Sequence, residues 1–162
     1  MVNVTKMNQL MCAALALLLG VGAMAQSPDR TKQFNLSDGH VAINGYDPVA
    51  YFTENKAKEG SKSIRSDYKG VTYYFASETN KNLFTANPAK YEPEYGGWCA
   101  YAMGAKGEKV EVDPETFKIV DGRLYLFYNK FFNNTLKSWN KDEVGLKMKA
   151  DKNWSSIYKI SK

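Results

Sequence analysis

The sequence predicts an α+β fold in which helices pack against a small antiparallel sheet in a single domain. Two β-rich hairpins indicate the sheet. The first spans residues 64–75, with its turn at residues 67–70, and the second spans residues 116–127. The second hairpin carries Asp121-Gly122 between its two strands, which is the residue pair that a tight type I′ turn favours.

The elements before and after the first hairpin are shorter. Pro48 forces an extended residue before it, and the apolar run that follows predicts a short strand at residues 49–52. After the hairpin, Ser77 is a favourable helix N-cap with Glu78 in the first turn. This helix ends near Pro88, which starts another short turn.

The second hairpin has apolar residues on both of its faces, which predicts strands that are covered on two sides. Downstream, Phe132, Leu136 and Trp139 have helical spacing, and residues 146–154 continue a helix after a break near Gly145. One face of the hairpin is formed by Phe117, Ile119, Leu124 and Leu126, and the other by Tyr125 and Phe127.

The first 25 residues have the features of a cleaved signal peptide. Lys6 supplies a positive start, the apolar run from Leu10 to Ala25 has 16 residues, and residues 23–25 form an A-x-A cleavage signal. We therefore predict export to the periplasm or the medium, with no membrane span after cleavage. The predicted organisation is a signal peptide (1–25), a polar leader (26–40) and one α+β domain (41–158).

Composition limits the classes of function. The formal net charge of the 162-residue chain is +5, and Lys6 is the only charged residue in the predicted signal peptide. Basic and acidic residues are interspersed along the rest of the chain, which is typical of a solvated surface and argues against nucleic-acid binding. The mature chain is rich in aromatic residues, which predicts a compact core or an aromatic pocket.

Only one cysteine, Cys99, remains after removal of the signal peptide, because Cys12 lies within it. A single cysteine cannot form an internal disulfide, so packing must hold the domain together. Cys99 follows Gly96-Gly97 among aromatic residues. It is either a small buried apolar residue, a soft metal ligand or a redox group.

Two hypotheses for a binding site follow. Cys99 and Met103 are four residues apart and, with His40, could bind Cu(I). Alternatively, a group of aromatic residues could line a small-ligand pocket, or could simply fill the core. These aromatic residues are Tyr46, Tyr51, Tyr95, Trp98 and Tyr101.

No catalytic motif is present. His40 is the one histidine, no serine lies in a nucleophile turn, and Gly96-Gly97 lacks the lysine of a phosphate loop. Glu92 and Glu94 are predicted to be surface groups.

Six segments together resemble the YHS domain family, in particular the small exported proteins made of one such domain. In order, these segments are residues 45–52 (GYDPVAYF), 68–77 (YKGVTYYFAS), 84–91 (FTANPAKY), 95–102 (YGGWCAYA), 119–126 (IVDGRLYL) and 149–154 (KADKNW).

In the wider YHS and related heavy-metal-binding modules, cysteines occur at positions that correspond here to Ala50, Ala76 and Asn80. None of these three residues can bind a soft metal. The resemblance therefore implies the fold without the cysteine ligands.

The function predicted from these observations is that of an exported, non-enzymatic accessory protein. It would bind a small ligand or a metal, with Cu(I) as the candidate metal. The alternatives are a thiol-dependent redox or enzymatic role centred on Cys99, or a module that only binds another protein. The identities of the ligand and the partner, and the oligomeric state, are left open.

Overall fold

A computed structural model describes residues 30–158 and has the predicted α+β architecture. The helices are α1 (Arg30–Gln33), α2 (Ala50–Thr53), α3 (Glu78–Ala86), α4 (Pro88–Tyr91), α5 (Ala100–Lys106), α6 (Thr135–Trp139) and α7 (Glu143–Ile157). The strands are β1 (Leu36–Ser37), β2 (Val41–Ala42), β3 (Ser61–Tyr68), β4 (Val71–Phe75), β5 (Asp113–Val120), β6 (Arg123–Phe127), β7 (Asn129–Lys130) and β8 (Asn133–Asn134).

The largest sheet has four strands in the order β1-β2-β4-β3. Strands β3 and β4 form the predicted first hairpin around Lys69-Gly70, and both turn residues have positive φ. The sheet is mixed and not wholly antiparallel, because β2 pairs with β4 in parallel through Val41 and Thr72. Two further ladders, β5-β6 and β7-β8, are antiparallel pairs.

Strand β6 lies between two groups of buried side chains, as the apolar residues on both faces of the second hairpin predict. Leu124 and Leu126 join one group, whereas Tyr125 and Phe127 join the other. The first core cluster includes Val49, Tyr51, Val71, Tyr73, Phe75, Phe84, Cys99, Leu124 and Leu126. The second core cluster comprises Tyr95, Ala100, Met103, Tyr125, Phe127, Trp139, Leu146 and Ala150.

The strand predicted at residues 49–52 is wrong, because the chain forms helix α2 there. The reason is the carboxylate of Asp47, whose Oδ1 accepts hydrogen bonds from the backbone N–H of Val49 (2.8 Å) and of Ala50 (3.3 Å). These N–H groups begin the helix and would otherwise lack partners. Val49 and Ala50 are fully buried, so the apolar run that indicated a strand is instead a buried helical turn.

The helix predicted from the spacing of Phe132, Leu136 and Trp139 is wrong at its start. Phe132 lies in the turn between β7 and β8, and α6 begins only at Thr135. Asn134 caps α6 by accepting a hydrogen bond from the N–H of Leu136 at 3.0 Å. The downstream helix, α7, is capped by Asp142, whose side chain accepts from the N–H of Gly145.

Part of the segment predicted as a polar leader packs on the fold. Arg30 is 7% exposed, and the ring of Phe34 lies 6.1 Å from that of Trp154 on α7. The predicted signal peptide lies outside the described residues. Within residues 30–158, no helix is long and apolar enough to cross a membrane.

Candidate functional site

Cys99 is positioned by an unusual backbone segment that precedes α5. Tyr95, Gly96 and Gly97 have φ values of 54°, 62° and 85° in succession. A Cβ at position 96 would lie 2.7 Å from the ring of Phe34, so glycine is required there both by the backbone and by space. The chain then turns into α5, with the N–H of Cys99 donating to the carbonyl of Val110 at 2.9 Å.

The Cys99 thiol is buried and has hydrogen-bond partners both as a donor and as an acceptor. Its Sγ lies 3.4 Å from Thr135 Oγ1 and accepts from the Tyr128 N–H at 3.4 Å. The Thr135 hydroxyl donates its one hydrogen to the carbonyl of Tyr128 at 2.9 Å. Thr135 Oγ1 is therefore an acceptor towards Cys99, and the thiol ties α5 to the chain between β6 and α6.

The structure does not bring the three predicted Cu(I) ligands together. Cys99 packs in the first core cluster and Met103 in the second, and both are fully buried. His40 is exposed in the turn between β1 and β2, with φ of 61°. Among residues 30–158 there is no group of three or more His, Cys, Asp or Glu side chains that could hold a metal ion. The Cu(I) site stays a prediction.

The five aromatic residues predicted to line a ligand pocket are also divided between the clusters. Tyr46 and Tyr51 pack with the first cluster, Tyr95 and Trp98 with the second, and Tyr101 contacts both. Of the five, Tyr101 borders the cavity described below.

Several of these aromatic side chains have structural hydrogen bonds. The Tyr51 hydroxyl donates to the carbonyl of Pro114, and the Tyr95 hydroxyl donates to Asp151, each at 2.9 Å. Burial raises the pKa of both hydroxyls, and the carboxylate of Asp151 raises that of Tyr95 further. These tyrosines are therefore neutral donors that join separate parts of the chain.

One cavity does open beside Cys99, and we refer to it as the α5 cavity. Its volume is about 250 Å³. It combines aromatic and aliphatic walls with a few polar groups and two opposite charges, a composition typical of small-molecule sites. Its lining comprises Cys99, Tyr101, Ala102, Ala105, Lys106, Glu108, Val110, Tyr128, Asn133 and Thr135.

The charged residues of the α5 cavity lie where α5 ends. Lys106 Nζ is 4.0 Å from Glu108 Oε2, and both side chains are more than half exposed. Such an exposed pair contributes little to stability and remains available to other partners. Sequence reasoning missed Tyr128 and Thr135 because they reach Cys99 from a distant part of the chain. It also missed Lys106 and Glu108, which lie close to Cys99 in the sequence but have no pattern that distinguishes them from ordinary surface charges.

A second cluster of polar contacts surrounds Asp47, which the sequence did not single out. Its Oδ2 accepts from the N–H of Ala76 at 2.8 Å and from Asn80 Nδ2 at 2.7 Å, in addition to the two bonds that begin α2. Asp47 is fully buried, and its two oxygens together accept four hydrogen bonds. The available sequence signal was an aspartate directly before Pro48, since aspartate is a residue that often caps the start of a helix.

The network around Asp47 also tests the metal chemistry that the family resemblance implies. Ala50, Ala76 and Asn80, the positions that correspond to cysteines in metal-binding modules, each donate one of these hydrogen bonds to Asp47. Their side chains supply no thiolate, and both carboxylate oxygens are already occupied by donors. These three residues therefore do not fit a soft metal.

We expect the Cys99 thiol to resist alkylation in the folded protein, because its sulfur is buried and hydrogen-bonded. Iodoacetamide should label native protein about 100-fold or more slowly than protein in denaturant. Mass spectrometry of samples quenched over time measures both rates. Equal rates in the two states would show that Cys99 is accessible and would favour the redox alternative.

Comparison with known proteins finds similarity for only part of the chain. No curated protein and no solved structure shows significant similarity to the chain. The family model described as YHS domain matches residues 49–95, from the residue before α2 to Tyr95. The matched segment contains Ala50, Ala76 and Asn80 but ends before Cys99 and the rest of the α5 cavity. Residues 49–95 of this chain are therefore similar to the YHS domain.

Proposed function

We propose that this chain is a non-enzymatic binding protein that holds a small organic molecule in the α5 cavity. The observation that carries the proposal is the cavity itself, with two aromatic rings and several polar groups around a space of about 250 Å³. That volume lies just below the range of about 300–1,000 Å³ typical of drug-sized ligands. The ligand is therefore the size of a small metabolite.

The lining indicates the chemistry of this ligand. Tyr101 and Tyr128 offer ring faces and edges to an apolar or aromatic body. Lys106 and Glu108 at the end of α5 offer one positive and one negative partner for a polar head group. We infer a small amphipathic ligand with an aromatic or aliphatic body and an acidic or amino group.

The metal and thiol alternatives have less support from the geometry. The soft donors Cys99 and Met103 lie in different core clusters, and His40 is exposed in a turn. The Cys99 sulfur is fully buried and uses its hydrogen-bonding capacity on Thr135 and Tyr128. A reactive or ligating thiol would need these contacts to break.

We also propose that the protein acts after export. The support is the charged start, apolar run and A-x-A signal of residues 1–25. The fold described above lies wholly within residues 30–158, so the chain that begins at Gln26 contains all of it. Experiments on the mature form therefore use residues 26–162.

Blocking the α5 cavity should weaken ligand binding without unfolding the protein. Ala105 lines the cavity and is exposed, so Ala105→Trp can fill the opening without disturbing the core. We expect it to weaken the binding of small aromatic acids and amines, such as 4-hydroxybenzoate and tyramine, by about tenfold or more. Isothermal titration of the mature chain with a set of such fragments measures the affinity.

The matched control is Ala89→Trp, which places the same side chain at an exposed position of α4, away from the cavity. It should leave each affinity within about twofold of the wild-type value. Lys106→Gln should weaken the acids selectively, and Glu108→Gln should weaken the amines. Equal binding by the wild type and Ala105→Trp would show that the fragments occupy another site.

A further inference from the structure

The tip of the β7-β8 hairpin carries two adjacent phenylalanines that pack against nothing in the described part of the chain. Phe131 is 88% exposed and Phe132 is 110% exposed relative to its reference area. Neither ring belongs to a core cluster, whereas most aromatic side chains of this protein are buried or half-buried. A pair of apolar rings at the end of a projecting turn is a large exposed apolar surface, and such surfaces mark interaction sites.

The backbone at this tip is unfavourable for the residues it holds. Because Lys130 pairs with Asn133, Phe131 and Phe132 form a two-residue loop, with φ of 52° and 62°. Loops of this kind require positive φ at both residues and favour Asn-Gly or Asp-Gly. Bulky residues rarely adopt such angles, which is a conflict that often indicates a functional position.

The other two-residue hairpins of this chain show the usual solution. The β5-β6 turn is Asp121-Gly122, with φ of 51° and 70°, and the β3-β4 turn is Lys69-Gly70, with φ of 49° and 82°. Each places glycine second, where it avoids strain. The same backbone turn at β7-β8 carries two aromatic residues instead, so local stability alone does not account for them.

The tip lies in a segment of the chain that carries three lysines. Residues 128–141 contain Lys130, Lys137 and Lys141, and the acidic pair Asp142-Glu143 follows directly after them. All three lysines are exposed, and no ion pair within residues 30–158 involves them.

We propose that the β7-β8 hairpin docks on an anionic lipid surface, with Phe131 and Phe132 inserted at the boundary of head groups and acyl chains. A convex tip with two rings suits a deformable apolar layer, and the unpaired lysines complement a negative surface. The attachment is peripheral. It is independent of ligand binding in the α5 cavity, although Asn133 of the hairpin borders that cavity.

Vesicle flotation of the mature chain, residues 26–162, tests this proposal. The probes are vesicles of an equimolar mixture of phosphatidylcholine and phosphatidylglycerol, and vesicles of phosphatidylcholine alone. The double variant Phe131→Asn/Phe132→Gly removes the rings and installs the residues that the turn favours, so it should remain folded. We expect it to bind the anionic vesicles about tenfold or more weakly than the wild type.

The matched control is Val144→Asn/Met148→Gln, which removes two exposed apolar side chains from α7 and should bind as the wild type does. Binding of the wild type should also fall with added salt and be weak on phosphatidylcholine alone. No binding by the wild type, or equal binding by the Phe131/Phe132 variant, would overturn the proposal. A wild-type dimer in size-exclusion chromatography that the variant lacks would instead assign the tip to a second copy of the chain and overturn the lipid assignment.

Discussion

We expect Asp47→Ala to lower the free energy of unfolding by about 3–5 kcal/mol, because the carboxylate satisfies four buried or partly buried donors at once. The substitution leaves the N–H groups that begin α2 without an acceptor. The backbone N–H of Ala76 and the side-chain amide of Asn80 lose their acceptor as well. Each buried donor left without an acceptor costs about 1–3 kcal/mol, although the costs overlap within one network. A domain of this size is typically stable by about 5–15 kcal/mol, so the variant should be close to unfolding.

Urea unfolding followed by tryptophan fluorescence measures this change, since Trp139 is fully buried. Asp47→Asn should be intermediate, because its single amide oxygen can accept from Val49 and Ala50 while its NH₂ group faces other donors. Asp38→Ala, at an exposed aspartate of the β1-β2 turn, is the matched control and should change stability by less than about 0.5 kcal/mol. A loss below about 1 kcal/mol in Asp47→Ala would refute the role given to this carboxylate.

Gly104→Ala should also destabilise the protein, by about 2 kcal/mol or more, although alanine is the better helix former. A Cβ at position 104 would lie 2.5 Å from the carbonyl oxygen of Leu146 and 3.1 Å from its carbonyl carbon. Both atoms belong to the backbone of α7, which cannot move away as a flexible side chain could. The gain in helix propensity, about 1 kcal/mol, is smaller than the cost of separating two packed helices.

The matched control for position 104 is Ala105→Gly, the reverse change at the neighbouring exposed position of α5. This variant tests the effect of helix propensity alone, and its free energy of unfolding should fall by about 0.5–1 kcal/mol. Both variants can be measured by urea unfolding, with the same tryptophan signal. A Gly104→Ala protein that is more stable than the wild type would mean that α5 and α7 are not as close as the structure shows.

The parts of the fold that the sequence predicted are those set by local patterns. Lys69-Gly70 and Asp121-Gly122 form two-residue turns with glycine at the second position, where it tolerates positive φ. The apolar residues of β6 occupy both faces as their alternation indicates. Ser77 caps α3 as predicted, accepting from the N–H of Asn80 at 3.1 Å. These features depend on a few neighbouring residues.

The parts that the sequence did not predict depend on contacts between distant residues. Helix α2 replaces a predicted strand because it begins at the carboxylate of Asp47, which is held in place by donors of Ala76 and Asn80, about thirty residues away. The turn at Phe131 and Phe132 follows from the pairing of β7 with β8 against the preference of its own residues. Local pattern reasoning cannot anticipate a conflict of this kind.

The candidate site shows the same division. The sequence singled out Cys99 as the one cysteine of the mature chain and Tyr101 as a possible pocket residue, and both line the α5 cavity. The partners from Tyr128 to Thr135 arrive only when the chain after β6 folds back on α5. The sulfur of Cys99 is thereby packed at the wall of the cavity. The functional groups that a ligand can reach belong to the residues around it.

The central claim is that a small molecule binds in the α5 cavity, and amide chemical-shift mapping by NMR tests it most directly. The mature chain is titrated with the aromatic acid or amine fragments that bind it. The account predicts shifts at Ala102, Ala105, Tyr128 and Thr135, with little change at Val71 and Tyr73 in the sheet. Fragments that shift a different surface, or a complete set that shifts no cavity residue, would contradict it.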